Sequence, residues 1–136
     1  GVDPKTGKVK LLNVVTTGDN GKVISPKTAR SQMLGGVVGG IGMALTEQVQ
    51  IDHTTGQIIN SSFGTYQVPL HSMIPPIDVW FVDKPDYNVN SIGAKGLGEI
   101  ALIGFSAAVA NAVYNATGKR LRDLPITPEK INLKKA

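Results

Sequence analysis

The sequence predicts an α+β fold of two layers, in which a mixed sheet carries two helices on one face. Two stretches repeat apolar residues at spacings of three and four, several short stretches are rich in β-branched residues, and Gly, Pro and Asn separate them. The resulting order is β-α-β-β-β-α, which lets both helices cover the same face of the sheet. Because 136 residues suffice for one hydrophobic core, we expect residues 1–136 to form a single domain or lobe.

The N-terminal part alternates turns with a strand and then begins a helix. Asp3–Gly7 has Pro and Gly at positions typical of a turn. Residues 8–17 are rich in Val and Leu and predict a strand, which ends at the tight loop Gly18–Gly21. Ser25-Pro26 predicts a helix start, because Ser can cap free amides and Pro fits the first helical position. The helical spacing continues over residues 27–47.

This first helix contains an unusual number of glycines. Each glycine costs roughly 0.5–1 kcal/mol relative to Ala in a helix interior. We therefore expect another helix or a bound ligand to approach that backbone closely. The glycines are Gly35, Gly36, Gly39, Gly40 and Gly42.

The middle of the chain predicts a hairpin followed by a buried strand. Residues 48–52 and 57–60 flank a turn that contains His53, and the chain is expected to leave the sheet near Val68-Pro69. Residues 77–82 are strongly apolar and β-prone and lie between prolines, so they form the strongest predicted strand.

The last part predicts a glycine-rich loop and a second helix. The loop covers residues 90–98, and the helix covers residues 99–117 with a stripe of large apolar side chains. Gly118 is expected to cap the C-terminus of that helix. Residues 121–133 contain two prolines and are expected to be irregular or briefly helical.

Composition excludes several classes of function. Fourteen Lys and Arg against ten Asp and Glu give a net charge of +4, but no stacking or DNA-binding motif accompanies the basic residues, so we expect no nucleic acid partner. The absence of Cys rules out disulfides and iron–sulfur ligation by this chain. Two histidines are too few for a His-rich metal site, although carboxylates could still bind a hard cation, and no metal-ligating residues are assigned. The apolar run 33–45 is shorter than the roughly 20 residues of a membrane span, so no membrane is expected. The basic residues near the end are Lys119, Arg120, Arg122, Lys130, Lys134 and Lys135.

The stretch Gly93–Glu99 carries the most chemistry. Its three glycines let a ligand approach the backbone, and free amides at a helix N-terminus favour an anion. The helix dipole lowers the proton affinity of a carboxylate there, whereas burial raises it, and a general base needs that balance. An ordinary phosphate-binding loop and a first-turn Glu that only stabilises its helix are the alternatives. Gln32 beside the glycines of the first helix fits either a ligand contact or a plain surface residue.

Several separated motifs resemble the molybdopterin-binding (large) subunit of the xanthine dehydrogenase/aldehyde oxidase family, of which this chain looks like the C-terminal part. The resemblance extends over nearly the whole chain, with two departures: Gly39 stands where the family often has Gln, and His71 begins a segment that differs from the family pattern. The matching motifs are Gly93-x-Lys95-Gly96-x-Gly98-Glu99, Ala110–Val113, Ala116–Lys130, Asp19-x-Gly21-x-x-Ile24-x-Pro26, Gln32-x-x-Gly35-Gly36 and Tyr66-x-Val68-Pro69.

The resemblance implies a site and a reaction. Glu99 matches the catalytic base of a hydroxylation in which water supplies the oxygen and the substrate is an aldehyde or an N-heterocycle. The cofactor would be molybdenum-molybdopterin, shared with the remainder of the subunit. Neither histidine is expected to be catalytic. The residues that match cofactor-contacting regions are Gln32, Gly93, Ala94, Lys95, Gly96, Leu97 and Gly98.

The resemblance also implies which partners the chain has and that the isolated chain is inactive. We expect contacts with the rest of the large subunit, with domains or subunits that carry iron–sulfur clusters and FAD, and with a small-molecule substrate. The location is expected to be cytoplasmic, or periplasmic if the assembly is exported. We expect the isolated chain neither to bind the cofactor tightly nor to turn over. The alternative is a non-catalytic domain that binds an anion or a partner through the glycine-rich loop.

Overall fold

The computed structural model describes residues 1–131, and these residues form an α+β fold, as the sequence predicts. The boundaries of the first helix and of the strongest strand agree with the predictions to within two residues at each end. The elements are strand β1 (Val14–Gly18), helix α1 (Pro26–Leu45), a 3₁₀ helix (His71–Met73), strand β2 (Ile77–Phe81) and helices α2 (Ile100–Ile103), α3 (Phe105–Thr117) and α4 (Pro128–Ile131).

The sheet is formed by β1 and β2, which run parallel. Val14 lies opposite Ile77, and Gly18 lies opposite Phe81. Alternate residues of both strands are half-buried or buried beneath the helices, whereas the residues between them, including Trp80, are exposed. The prediction that the helices cover one face of the sheet is therefore confirmed.

The sheet itself is smaller than the expected mixed sheet. Among residues 1–131 antiparallel pairing occurs only as isolated bridges, at Val2–Val9, Gly21–Ala94 and Ile51–Ile58. The predicted strand 8–17 therefore begins only at Val14. The predicted hairpin forms its turn, but its two arms share few backbone hydrogen bonds. Its apolar side chains are exposed on this chain, and a two-stranded hairpin without a packed face is marginal on its own.

The hydrophobic core lies between the helices and the C-terminal segment. Large side chains of α1 pack against those of α3, and Ile126 and Ile131 close the end of the core. The amide of Ile126 donates to the carbonyl of Ala44 at 2.7 Å, which fastens the C-terminal segment to the end of α1. The core residues are Val37, Ile41, Ala44, Phe105, Val109, Val113, Ile126 and Ile131.

Three of the five glycines of α1 are explained by a second helical segment. A β-carbon on Gly36 would lie 3.0 Å from Ala101, and one on Gly39 would lie 3.0 Å from Leu102. A β-carbon on Gly40 would lie 2.6 Å from the β-carbon of Phe105. The close neighbour that the glycines predict is thus the segment formed by α2 and α3.

The predicted continuous helix over residues 99–117 is wrong, because Gly104 divides it into α2 and α3. Glycine has a low helix propensity, and the break lets Phe105 turn onto α1. The predicted cap is confirmed at Gly118, which has a φ of 71° and donates its amide to the carbonyl of Tyr114 at 2.7 Å. Lys134 and Lys135 of the predicted basic tail lie outside the described residues.

A membrane span is suggested by a stretch other than residues 33–45. Residues 100–117 have a mean hydropathy of 1.4 and meet the length and composition of a spanning helix. In this fold the stretch is interrupted at Gly104 and buries one side, at Phe105, Val109 and Val113, within the core. Only 22% of the stretch is buried among residues 1–131, so its packing against α1 covers one side and leaves the rest exposed.

Candidate functional site

The glycine-rich loop before α2 is docked onto the loop that follows β1. Gly21 and Ala94 form an antiparallel bridge, and the amide of Lys22 donates to the carbonyl of Gly93 at 2.8 Å. The amide of Lys95 donates to the carbonyl of Asn20, also at 2.8 Å. Two segments more than 70 residues apart in sequence thus share a short ladder of backbone hydrogen bonds.

Gly21 is required for this contact. Its φ of 63° lies in the left-handed region, and a β-carbon there would collide with the carbonyl oxygen of Gly93. The structure thus gives Gly21 a specific role in bringing the two loops together.

Two asparagines fix the loop from opposite sides. The side chain of Asn90 accepts the amide of Gly93 at 2.8 Å and donates to the carbonyl of Ala94 at 2.7 Å. Asn20 is buried, and its side-chain amide donates to the carbonyl of Gly96 at 2.8 Å. Neither asparagine is singled out as a functional residue by the sequence, although Asn20 within a Gly-Asp-Asn-Gly run at the end of a strand is the signal that could have found it.

An ion pair also holds the glycine-rich loop in place. The ammonium group of Lys95 lies 2.8 Å from a carboxylate oxygen of Asp19 and 3.7 Å from one of Asp86. The hydrogen bond from Lys95 lowers the pKa of the Asp19 carboxyl, and the same bond raises the pKa of Lys95. The side chain of Lys95, expected to contact a cofactor, is thus turned toward two carboxylates of its own chain.

Glu99 lies directly after the loop as the N-cap residue of α2. Its carbonyl accepts the amide of Leu102 at 2.9 Å, while its side chain is exposed and receives no hydrogen bond from residues 1–131. Because α2 has only four residues, fewer peptide dipoles act on Glu99 than the continuous helix would have aligned. The carboxylate is therefore open to contact with a ligand.

A cleft of about 490 Å³ lies beside Glu99. Space is open where β-carbons on Gly96 and Gly98 would stand, and no acceptor among the described residues takes the backbone amides from 96 to 99. Open backbone with free amides suits an anionic ligand with phosphate or sulfur groups, so these residues fit a molybdopterin. The cleft is lined by Asp19, Lys95, Gly96, Leu97, Gly98, Glu99, Ile100 and Ile103.

The other predicted site residues lie apart from this cleft. Gly93 is buried, and its carbonyl accepts the amides of Lys22 and Asp86, so it holds the loop in place. Gln32 lies on the exposed side of α1 and does not line the cleft. His53 and His71 are both exposed and also lie outside the cleft lining.

Fold and site together define a small α+β lobe that offers a glycine-rich backbone and one carboxylate to a ligand. Residues 1–75 match the family model of the molybdopterin cofactor-binding domain, and the chain belongs to this family. The matched part includes α1 and the loop that carries Asn20, and it ends before β2.

Curated relatives extend the likeness to the rest of the chain. The molybdenum-binding subunit of an aldehyde oxidoreductase from Escherichia coli K12 is 44% identical over 131 residues, which is 96% of this chain and 18% of that subunit. The large subunit of nicotine 6-hydroxylase from Paenarthrobacter nicotinovorans is 42% identical over 133 residues, again 96% of this chain and 16% of that subunit. The chain thus spans less than a fifth of the length of these relatives, and the similar segment includes the loop with Glu99.

Solved structures show the same fold. Quinoline 2-oxidoreductase from Pseudomonas putida 86 superposes with a TM-score of 0.88 at 29% identity, over 98% of this chain and 17% of that one. The aldehyde oxidoreductase from Desulfovibrio desulfuricans superposes with a TM-score of 0.86 at 34% identity, over 96% of this chain and 14% of that one. This lobe therefore corresponds to one part of much larger molybdenum enzymes, which confirms the resemblance to their molybdenum-binding subunits.

Proposed function

We propose that this chain is the part of a molybdenum hydroxylase, of the xanthine dehydrogenase/aldehyde oxidoreductase type, that presents Glu99 as the general base beside the cofactor. The observation that carries the proposal is the position of Glu99, whose carboxylate is exposed at a cleft of about 490 Å³ and receives no hydrogen bond from the described residues. A general base needs a carboxylate that is not occupied by other hydrogen bonds and that lies within reach of the proton it accepts.

The cofactor is assigned to the open backbone before Glu99. The amides of Gly96, Leu97 and Gly98 would hold its anionic groups, and Gln32 on α1 would contact it from another side if the remainder of the subunit brings the two together. When bound, molybdenum-molybdopterin supplies the redox chemistry of the reaction. Lys95 is already engaged by Asp19, so its contribution is to fix the loop rather than to bind the cofactor through its ammonium group.

Glu99 would take and return one proton. Its carboxylate lies outside the apolar core and lines the cleft, where it would accept a proton as the substrate is hydroxylated. Ile100 and Ile103 line the same cleft and would exclude water on one side of the reacting groups.

We also propose a substrate class, partners and a location. The substrate would be an aldehyde or an N-heterocycle, in line with the names of the relatives. The partners would be the rest of the large subunit and domains or subunits that carry iron–sulfur clusters and FAD, without nucleic acid. The location would be the cytoplasm, or the periplasm if the assembly is exported.

Labelled water tests the reaction class. The complete subunit with its cofactor and partners is incubated with an electron-accepting dye in water enriched in oxygen-18, with aldehydes and with N-heterocycles, and the product is examined by mass spectrometry. For an N-heterocycle we expect one labelled oxygen in the hydroxylated product. An aldehyde exchanges its carbonyl oxygen with water, so for that class the expected result is formation of the carboxylic acid together with reduction of the dye. Absence of hydroxylation across both classes, or an unlabelled product, would refute the proposal. The 136-residue chain alone is expected to retain no stoichiometric molybdenum and to give no turnover.

A further inference from the structure

We propose that Asn20 is a positioning residue for Glu99, acting through the backbone of the glycine-rich loop. This inference rests on the proposed role of Glu99 as the base. It assigns to a buried asparagine, 79 positions earlier in the chain, the placement of a carboxylate that it does not touch.

Asn20 holds two consecutive residues of the loop, Lys95 and Gly96. Its side-chain amide donates to the carbonyl of Gly96 at 2.8 Å, and its own carbonyl accepts the amide of Lys95 at 2.8 Å. Only 3% of Asn20 is exposed, and its side-chain bond to the exposed Gly96 is therefore partly buried. Gly96 is the last residue before Glu99 that any side chain of the described residues holds by a hydrogen bond.

The orientation of the amide is determined by the acceptor. Gly96 offers a carbonyl, so the nitrogen of Asn20 must face it, and a flipped amide would place two oxygens together. The side-chain oxygen of Asn20 is then buried with no hydrogen-bond partner among residues 1–131. A buried acceptor without a partner lowers stability, so this asparagine is a poor choice for stability alone.

Two nearby glycines make room for these contacts, Gly18 for the side chain of Asn20 and Gly21 for the glycine-rich loop. A β-carbon on Gly18 would collide with the side-chain oxygen of Asn20, and a β-carbon on Gly21 would collide with the carbonyl of Gly93. The whole Gly-Asp-Asn-Gly segment is thus fitted around the loop that leads to Glu99. Between Gly96 and Glu99, no side chain of residues 1–131 forms a hydrogen bond with the backbone of residues 97 and 98, and β-carbons on Gly96 and Gly98 would meet open space.

Loss of the bond between Asn20 and Gly96 is expected to lower the rate of turnover rather than the affinity for substrate. Without the bond to Gly96, the peptide units between Gly96 and Glu99 gain freedom, and the carboxylate spends less time in the reactive position. A displacement of about 1 Å can lower turnover by roughly a hundredfold. Substrate binding on other parts of the subunit is unaffected, so the expected loss lies in kcat.

The test compares Asn20→Ala with Asn60→Ala in the complete, cofactor-loaded subunit. Asn60 is the matched control, because it is the other asparagine buried among residues 1–131, donates to the carbonyl of Gln48 at 2.6 Å and lies in the hairpin away from the cleft. Hydrogen–deuterium exchange of the peptide that contains residues 93–99 reports the hold on the loop, and steady-state kinetics report the placement of Glu99.

For Asn20→Ala we expect loop exchange to quicken at least about tenfold and kcat to fall about tenfold or more, with KM within about twofold and cofactor content unchanged. For Asn60→Ala we expect faster exchange only in residues 48–60, with normal kcat. Unchanged loop exchange, or faster exchange with normal kcat, would overturn the proposal, as would a fall in kcat explained by cofactor loss. If Asn20→Ala does not fold, Asn20→Ser is used in its place, because it leaves room for a water where the amide stood. The same results are expected of it, and the same results would overturn the proposal.

The failure of this inference is separable from failure of the proposed function. Normal turnover in Glu99→Gln would refute Glu99 as the base, whatever the loop does. Reduced turnover in Glu99→Gln with normal turnover in Asn20→Ala would refute only the role of Asn20.

Discussion

The ring of Phe105 lies directly against the backbone of Gly40, so that a β-carbon on Gly40 would stand 2.6 Å from the β-carbon of Phe105 and 2.7 Å from the ring. This contact brings α3 onto α1 and explains why α1 tolerates glycine at that position. The nearest atom on Phe105 belongs to the rigid base of its side chain, so it cannot move aside without a shift of the helix.

Gly40→Ala is therefore expected to destabilise the chain by about 1–3 kcal/mol through overpacking. Gly35→Ala is the matched control, because a β-carbon on Gly35 would meet nothing within 4 Å. There the gain in helix propensity should stabilise the chain by roughly 0.5–1 kcal/mol. Chemical denaturation of both variants gives the free energies of unfolding, and effects of the same sign would contradict this account of the packing.

Gly21→Ala should disturb the contact between the two loops. Its left-handed φ costs about 1–2 kcal/mol for a residue with a β-carbon, and the collision with the carbonyl of Gly93 adds to that cost. Gly56→Ala is the control, since Gly56 has a φ of 72° and open space around it. We expect Gly21→Ala to lower the free energy of unfolding more than Gly56→Ala does. Equal losses would mean that the contact with Gly93 contributes nothing to the free energy of unfolding.

Lys95→Met should change the pH dependence of stability. The hydrogen bond from Lys95 lowers the pKa of the Asp19 carboxyl in the folded chain, so its stabilisation is complete above the unfolded pKa and is lost as pH falls through the folded pKa. In Lys95→Met the pKa of Asp19, followed by NMR, should rise toward its ordinary value, and the acid-side loss of stability should shrink. Lys84→Met removes a weaker influence on Asp19 and should give a smaller rise. A larger rise in Lys84→Met would refute this assignment.

Tyr66→Phe should loosen the base of the hairpin segment. The hydroxyl of Tyr66 donates to Glu47 at 2.8 Å, and this bond also raises the pKa of Tyr66. We expect Tyr66→Phe to lower the Tm, because the carboxylate of Glu47 loses its donor. Tyr87→Phe serves as the control, since Tyr87 is exposed. A Tm loss in Tyr87→Phe that equals the loss in Tyr66→Phe would show that the bond to Glu47 does not matter.

Local patterns predicted the fold class, α1, β2 and the cap at Gly118, because each depends on residues close in sequence. The break at Gly104 was missed, since helix spacing continues across it and only the packing of Phe105 on Gly40 shows why the chain turns there. The reduced sheet was missed for a related reason. The exposed side chains of the hairpin, such as Ile58, give it little packing on this chain.

The candidate site was predictable in part. Glycines followed by an acid indicate an anion-compatible loop, and the resemblance added a role for Glu99. The docking of that loop on Asn20 and Gly21 joins segments that no local pattern connects, so it required the structure. The same contacts show Lys95 held by Asp19, which the spacing of the motif cannot show.

The most direct test of the central claim is the turnover of Glu99→Gln in the complete, cofactor-loaded subunit. The amide keeps the shape of the side chain but cannot accept a proton, so kcat should fall by at least about a hundredfold while molybdenum content stays normal. Glu129→Gln, an exposed glutamate in α4, should turn over normally. Near-normal kcat in fully loaded Glu99→Gln would contradict the account.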